Sequence, residues 1–311
     1  ARRIHARRCR RARGQRALNM RKVAGTIASR RVRDGSVRVL NRSDLPAAIR
    51  LLSGNPIENV FVASRVRAAG LEQASLGCPV WGYVRGGLLR ALCHAGSNMV
   101  PVNADEEALE AWAEFAGPQR TCASIIGPSH VALELWNRLS DRWGSAWSEV
   151  RDVRPHQPVL AISSAPAIPV DRRVRRVTLD QWDAYTEAAV KMYTEEIGVS
   201  PVQGNPAGYR FYVRQLIASG RAFGIFEGDR VLFKADLGSV SGSVCQVQGV
   251  WLEPELRGRG LSAPAMAAVV QLARTVVPTV SLYVNDYNLP ARATYAKVGF
   301  TEVGEFATVH F

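Results

Sequence analysis

The chain has 311 residues, 47% of them hydrophobic and 22% charged, and no apolar run reaches the roughly 20 residues that cross a bilayer, which argues against a membrane class. The formal net charge of +13 suggests nucleic acid, but residues 1–33 carry thirteen basic residues and no acid, so the remaining 27 basic groups balance 27 acidic ones and the body is neutral. Five cysteines (Cys9, Cys78, Cys93, Cys122, Cys245) form no C-x-x-C pair and lie near no His cluster, so they read as reduced thiols of a cytoplasmic protein without a metal site.

Residues 1–36 are Arg-rich and lack hydrophobic periodicity, which predicts a disordered, dispensable tail. Any nucleic-acid or anionic-lipid contact is expected from this tail alone. No apolar segment follows its charges, so it is not a secretory signal. The first globular region is expected over 37–163. It opens with a strand at Val37–Leu40, then helices at Leu45–Leu52 and Ile57–Ala69. Val80–Val84 and Leu88–His94 flank a glycine turn and predict a hairpin. Glu106–Phe115 reads as a helix, Thr121–Ile126 as a strand, Ser129–Trp143 as a helix and Gln157–Ser163 as a closing strand.

Pro166 and Pro169 mark a linker over 164–173, and the same plan then restarts over 174–311. Val174–Val177 is a strand, Gln181–Ile197 and Ala207–Ser219 are helices, and Ala222–Glu227 with Val231–Asp236 repeats the hairpin. The chain therefore reads as two diverged copies of one α+β plan. The copies differ in one place. Strand Val244–Leu252 runs into Glu253-Pro254-Glu255-Leu256-Arg257-Gly258-Arg259-Gly260-Leu261-Ser262 and then an Ala-rich helix, which together form an anion cradle of free helix amides and close-approach glycines. In the first copy Thr121–Ile126 runs into Gly127-Pro128-Ser129, with no arginine and one amide fewer, so the cradle is expected to be missing there. Farther on, strand Val280–Val284 precedes Asn288-Leu289-Pro290-Ala291-Arg292-Ala293-Thr294-Tyr295-Ala296-Lys297-Val298-Gly299-Phe300, a capped helix that presents Ala291 and Tyr295 on one face.

Arg257-x-x-Gly260-x-Ser262 is similar to the pyrophosphate loop of the GNAT superfamily of N-acetyltransferases, with Ser262 where Gly or Ala is usual. Asn288 to Phe300 is similar to that family's second signature. The first copy resembles the uncharacterised GNAT-like domain that precedes a GNAT domain in some bacterial proteins. The resemblance implies tandem GNAT-like folds, each a mixed, mostly antiparallel sheet flanked by helices. It also implies acetyl-CoA as cosubstrate and acetyl transfer to a primary amine by direct attack. Backbone groups of Val250 and Leu252 would hold the pantetheine arm. Arg257, Gly258, Arg259, Gly260, Leu261 and Ser262 would hold the pyrophosphate, Asn288 the CoA arm, and Tyr295 would protonate the leaving thiolate. Relatives often carry a general base on the strand before the loop, but this chain has Gln246 and Gln248 there, so Glu195 and Glu196 are the candidates. His310 is expected to be structural. Two other readings stay open: an idle acyl-CoA-binding or regulatory protein, and an aminoacyl transferase built from paired GNAT folds.

Overall fold

The computed structural model describes residues 35–311; nearly all of the expected tail lies outside the described residues. The first half runs β1 (Gly35–Val39), α1 (Leu45–Gly54), α2 (Val60–Ala69), α3 (Gln73–Leu76), β2 (Val80–Arg85), β3 (Leu88–Ala95), β4 (Asn98–Val102), α4 (Glu106–Ala116), β5 (Ser124–Pro128), α5 (Ser129–Trp143), α6 (Ser145–Ser148) and β6 (Asp152–Ile162). The second runs β7 (Arg175–Arg176), α7 (Trp182–Ile197), α8 (Pro206–Ala218), β8 (Ala222–Glu227), β9 (Arg230–Ser241), β10 (Val244–Leu252), α9 (Ser262–Ala273), β11 (Thr279–Tyr283), α10 (Leu289–Val298) and β12 (Thr301–His310). The expected α+β plan and its repetition are present.

The composition of the helices fixes their place. In α5 the buried residues Val131, Ala132, Leu135 and Leu139 form one stripe, so the helix lies on the sheet with its other face in water. Helix α9 is apolar almost all round and buries eight of its residues, from Ala263 to Ala273, so it sits inside the second core with Phe223, Phe233, Val247 and Tyr295. Strand β4 was not expected, and Pro101 within it explains why. Pro101 faces Cys93 of β3, while β4 pairs with β5 only through Asn98 and Met99, so the missing amide breaks no bond on that side.

All twelve strands join one sheet in the order β1-β2-β3-β4-β5-β12-β6-β11-β10-β9-β8-β7. The closing strands are exchanged between the halves. Strand β6 pairs with β11 through Val159–Ile162, β12 pairs with β5 through Phe306–His310, and β6 and β12 pair antiparallel along the middle. On β6 the residues from Val159 to Ile162 are all buried, Leu160 and Ile162 within the second core.

This arrangement predicts how fragments behave. Val159, Leu160 and Ile162 are each worth about 1.5–3 kcal/mol of burial, together comparable to a domain's net stability of about 5–15 kcal/mol. A fragment of residues 164–311 should therefore lack a cooperative thermal transition, and extending it to 150–311 should restore one, as followed by circular dichroism. A cooperative melt of 164–311 close to that of the full chain would show that β6 is dispensable.

Candidate active site

Strands β10 and β11 run parallel and pair only from Val244–Thr279 to Gln246–Ser281. Beyond that they part, and the gap between them is the cleft. The cause lies in β10, whose pairing with β9 shifts register between Gln246 and Val247 and again between Gln248 and Trp251. These bulges bend β10 while it stays paired to β9. Gly249, at the second bulge, has φ +60°, and a Cβ there would meet Lys234 Nζ at 2.9 Å and Asp236 Oδ2 at 3.1 Å. Only glycine fits.

Beneath the bulge lies a charged network that sequence reasoning missed. Lys234 is fully buried. Its ammonium donates to Asp236 Oδ2 at 2.7 Å and to the Gly249 carbonyl at 2.8 Å. Tyr185 donates its hydroxyl to Asp236 Oδ1 at 2.7 Å, and burial, followed by the Asp236 charge, pushes that phenol well above its ordinary value. The visible signal was Lys and Asp two apart in an otherwise apolar strand, which puts both on one face.

The loop after β10 leaves a run of backbone donors open. None of the amides of residues 258–263 has a hydrogen-bond partner among the described residues. Gly258 and Gly260 take φ +74° and +76°, and a Cβ on either would meet nothing within 4 Å, so the loop's face is open to a ligand. Beside it is a groove of about 460 Å³, lined by Gly260, Ser262, Ala263, Thr294, Lys297 and the segment 168–170. Arg257 turns away from this cradle. Its Nε donates to the Leu252 carbonyl at 3.0 Å, and Nη1 and Nη2 bind both oxygens of Glu195 at 2.5 and 2.8 Å. That ion pair holds the Glu195 carboxyl below its ordinary value. Arg257 thus braces the loop and α7, while Arg259 is the exposed cation at the cradle.

Tyr295 is buried among the second core, its ring edge-on to Phe300, and among the described residues its hydroxyl has no hydrogen-bond partner. Burial, with the Glu196 charge second, raises its phenol well above the ordinary value. Glu196 therefore acts electrostatically on Tyr295, and on Tyr283 of β11 as well. Glu196 keeps a solvent-facing surface, yet enough protein surrounds its carboxyl for desolvation to raise it, against the opposing charges of Arg154 and Lys234. Arg154 belongs to the exchanged strand β6 and donates to the Glu196 carbonyl at 3.1 Å. Of the two adjacent glutamates, Glu195 is paired with Arg257, whereas the Glu196 carboxylate has no such ion pair among the described residues and its charge is the second cause that raises the Tyr295 phenol. Asn288 caps α10, its side chain accepting from the Ala291 amide at 3.2 Å. His310 is half-buried on β12, where burial lowers its imidazole to about 4. Val250 falls in the bulge and Leu252 in the final pairing with Phe233.

The first half repeats the geometry but not the chemistry. The parallel pair equivalent to β10 and β11 is β4 and β5. The counterpart of the cradle is thus the short connection Asn103–Asp105, a correction to the expectation that placed it at Gly127–Ser129. That connection opens α4 with Asp105, Glu106 and Glu107, and Asp105 already accepts from the Ala108 amide at 2.9 Å. Three acids at a helix start repel a phosphate.

Comparison with known proteins places residues 174–300 in a match to the acetyltransferase (GNAT) family, and residues 78–185 in a match to a domain of unknown function (DUF4081). No curated protein matches the chain. Among solved structures, it is similar to a GNAT-family acetyltransferase from Colwellia psychrerythraea, at 12% identity and TM-score 0.54, over 89% of this chain and 99% of that one. A GCN5-related N-acetyltransferase from Sphaerobacter thermophilus aligns at 18% identity and TM-score 0.52, over 90% and 96%. A tandem GNAT protein from the clavulanic acid biosynthesis pathway aligns at 14% identity and TM-score 0.53, over 89% and 98%. At these identities the likeness is one of fold.

The network under the bulge can be tested by unfolding. Asp236→Ala strands a buried ammonium and should cost about 3–5 kcal/mol in denaturant titration. The double change Lys234→Met with Asp236→Leu should cost clearly less, since no charge is left unpaired. Equal losses in the two variants would mean that the pair does not act as a unit.

Proposed function

Because residues 174–300 match the acetyltransferase (GNAT) family, we propose that the protein moves an acetyl group from acetyl-CoA to a primary amine by direct attack in a ternary complex. The observation that carries this reading is the unpartnered amide run at 258–263, next to a cleft between parted strands. A pyrophosphate suits those donors, which gain from the positive end of α9. The pantetheine arm would lie along the free edge of β10 near Val250 and Leu252, as an added strand. The groove beside Lys297 would take the nucleotide end, and Arg259 and Leu261 would flank the phosphates. Asn288, already spent on the cap of α10, would reach the CoA arm only through that helix's start.

Chemistry would proceed with Glu196 and Tyr295 in opposite roles. The amine nitrogen attacks the thioester carbonyl, its proton passes to Glu196 directly or through water, and the carbon–sulfur bond breaks. Tyr295 gives its proton to the departing thiolate. A phenol kept protonated by burial suits an acid, and a carboxyl raised by desolvation suits a base. Glu195 is engaged by Arg257, which disfavours it as the base. The rival reading, an acyl-CoA binder without turnover, draws on Gln246 and Gln248, which offer an amide where a carboxylate would serve.

Gly260→Asp should abolish the rise in melting temperature that acetyl-CoA produces, because it puts a charge and a strained side chain into the cradle. A folded variant with the full rise would remove the pyrophosphate assignment.

Tyr295→Phe should lower kcat for acetyl transfer by about 10²–10⁴ while KM for acetyl-CoA stays nearly constant. Glu196 is active as the carboxylate, so kcat/KM should fall as pH drops, with its midpoint above the ordinary glutamate range. Glu196→Gln should flatten that limb. A limb unchanged in the Gln variant would transfer the role to another group.

A further inference from the structure

The first half reaches into the face of the second that α9 does not cover. Helix α2 packs on β9 and β10, and Ser64 accepts from the Val240 amide at 3.3 Å. Arg65, the next residue, stacks its guanidinium over the Phe61 ring at 3.6 Å, and the edge of that ring meets His94. Its one hydrogen bond among the described residues is a long one, 3.5 Å to the Phe61 carbonyl. No carboxylate pairs with it among the described residues, although Asp236 lies on the same face. Asp236 is already committed to Lys234 and Tyr185.

The groups nearest Arg65 electrostatically are neutral. They are the phenol of Tyr212 on α8 and the thiol of Cys78, and desolvation lowers the guanidinium where a paired carboxylate would raise it. Tyr212 is 40% exposed and accepts a hydrogen bond from Gln248 on β10, the strand that forms the cleft. Burial pushes the Tyr212 phenol up to about 12, and the Arg65 charge opposes that. Tyr212 continues an aromatic row, with ring centroids 6.3 Å to Tyr209 and 6.1 Å on to Tyr193 of α7. A half-buried guanidinium with no paired anion thus lies on the helix that packs on β9 and β10, and Tyr212, which faces its charge, is bonded to Gln248 of β10. A desolvated cation held only by a ring face and one long hydrogen bond is costly, and its planar fork matches a carboxylate in two parallel hydrogen bonds.

We propose that Arg65 anchors a carboxylate of the acceptor, so that the substrate is a small molecule bearing both a primary amine and a carboxylate, bound jointly by the two halves. The inference rests on the acetyltransferase reading and narrows its acceptor class. The first half then contributes a specificity residue and not only a scaffold.

The experiment uses the full chain and matched acceptors: amino acids, their carboxamides, the amines lacking the carboxyl group, and aminoalkyl phosphates. Transfer is followed as CoA thiol release, and binding by calorimetry in the presence of CoA. The wild type should favour the carboxylates over the carboxamides by about ten- to hundredfold, the worth of a hydrogen bond to a charged group. Arg65→Met should erase that preference while leaving the acetyl-CoA melting shift unchanged, and Arg65→Lys should keep part of it. Equal use of acids and amides by the wild type would overturn the proposal, as would an equal loss on both in Arg65→Met. A preference for aminoalkyl phosphates over carboxylates would overturn the carboxylate assignment. If no amine is acetylated, the calorimetric preference for acids decides the Arg65 proposal alone. Absence of any acetyl-CoA shift would instead refute the donor reading.

Discussion

The geometry of the second half depends on where one parallel pairing stops. Strands β10 and β11 hold each other for three residues and then separate, because Gly249 and the two bulges turn β10 aside. A bulge that leaves polar backbone unpaired needs partners, and the Gly249 carbonyl finds one in a fully buried ammonium. That ammonium in turn requires Asp236, and Asp236 holds Tyr185. One glycine, one ion pair and one phenol therefore hold β10 away from β11 and shape the cleft. A buried ion pair contributes little net stability beside an apolar core, so its value here is the shape that it enforces.

The exchange of β6 and β12 is a second constraint of the same kind. Each half lacks the strand that would close its own sheet and receives it from the other. The exchange brings Arg154 from the first half beside Glu196, as the packing of α2 brings Arg65 toward Gln248. A half whose counterpart loop opens on acids still shapes the surroundings of the other half's cleft. The acids that open α4 make that position unfavourable to an anion.

Much of this was legible in the residues. The Arg-Gly loop, the Asn288–Phe300 signature and the repeated hairpin carry local patterns that backbone chemistry explains by itself, and the fold class followed from them. What stayed hidden was long-range. Glu195 and Glu196 are neighbours in sequence, and only the approach of Arg257 to the carboxylate of one and of Arg154 to the carbonyl of the other separates their surroundings. The counterpart of the cradle was misplaced because β4, interrupted by Pro101, does not read as a strand, which shifted the apparent alignment by one element. The Lys234–Asp236 pair carries no local mark of its burial, since burial of charge is set by the helix packed over it. Nothing in the local pattern of α2 singles out Arg65, whose surroundings come from the packing of α2 on β9.

The exchanged strands also set an order in time. During synthesis the edge of β5 emerges early, but the strand that covers it, residues 301–310, is made only after the intervening second half. Until then the nascent first half carries an open row of backbone donors and acceptors, the kind of edge that pairs with other chains. The contacts that close it span most of the sequence, and such non-local pairing slows folding. Completion of the sheet therefore waits for the second half, and the protein's exposure to aggregation is greatest in the interval before residues 301–310 dock.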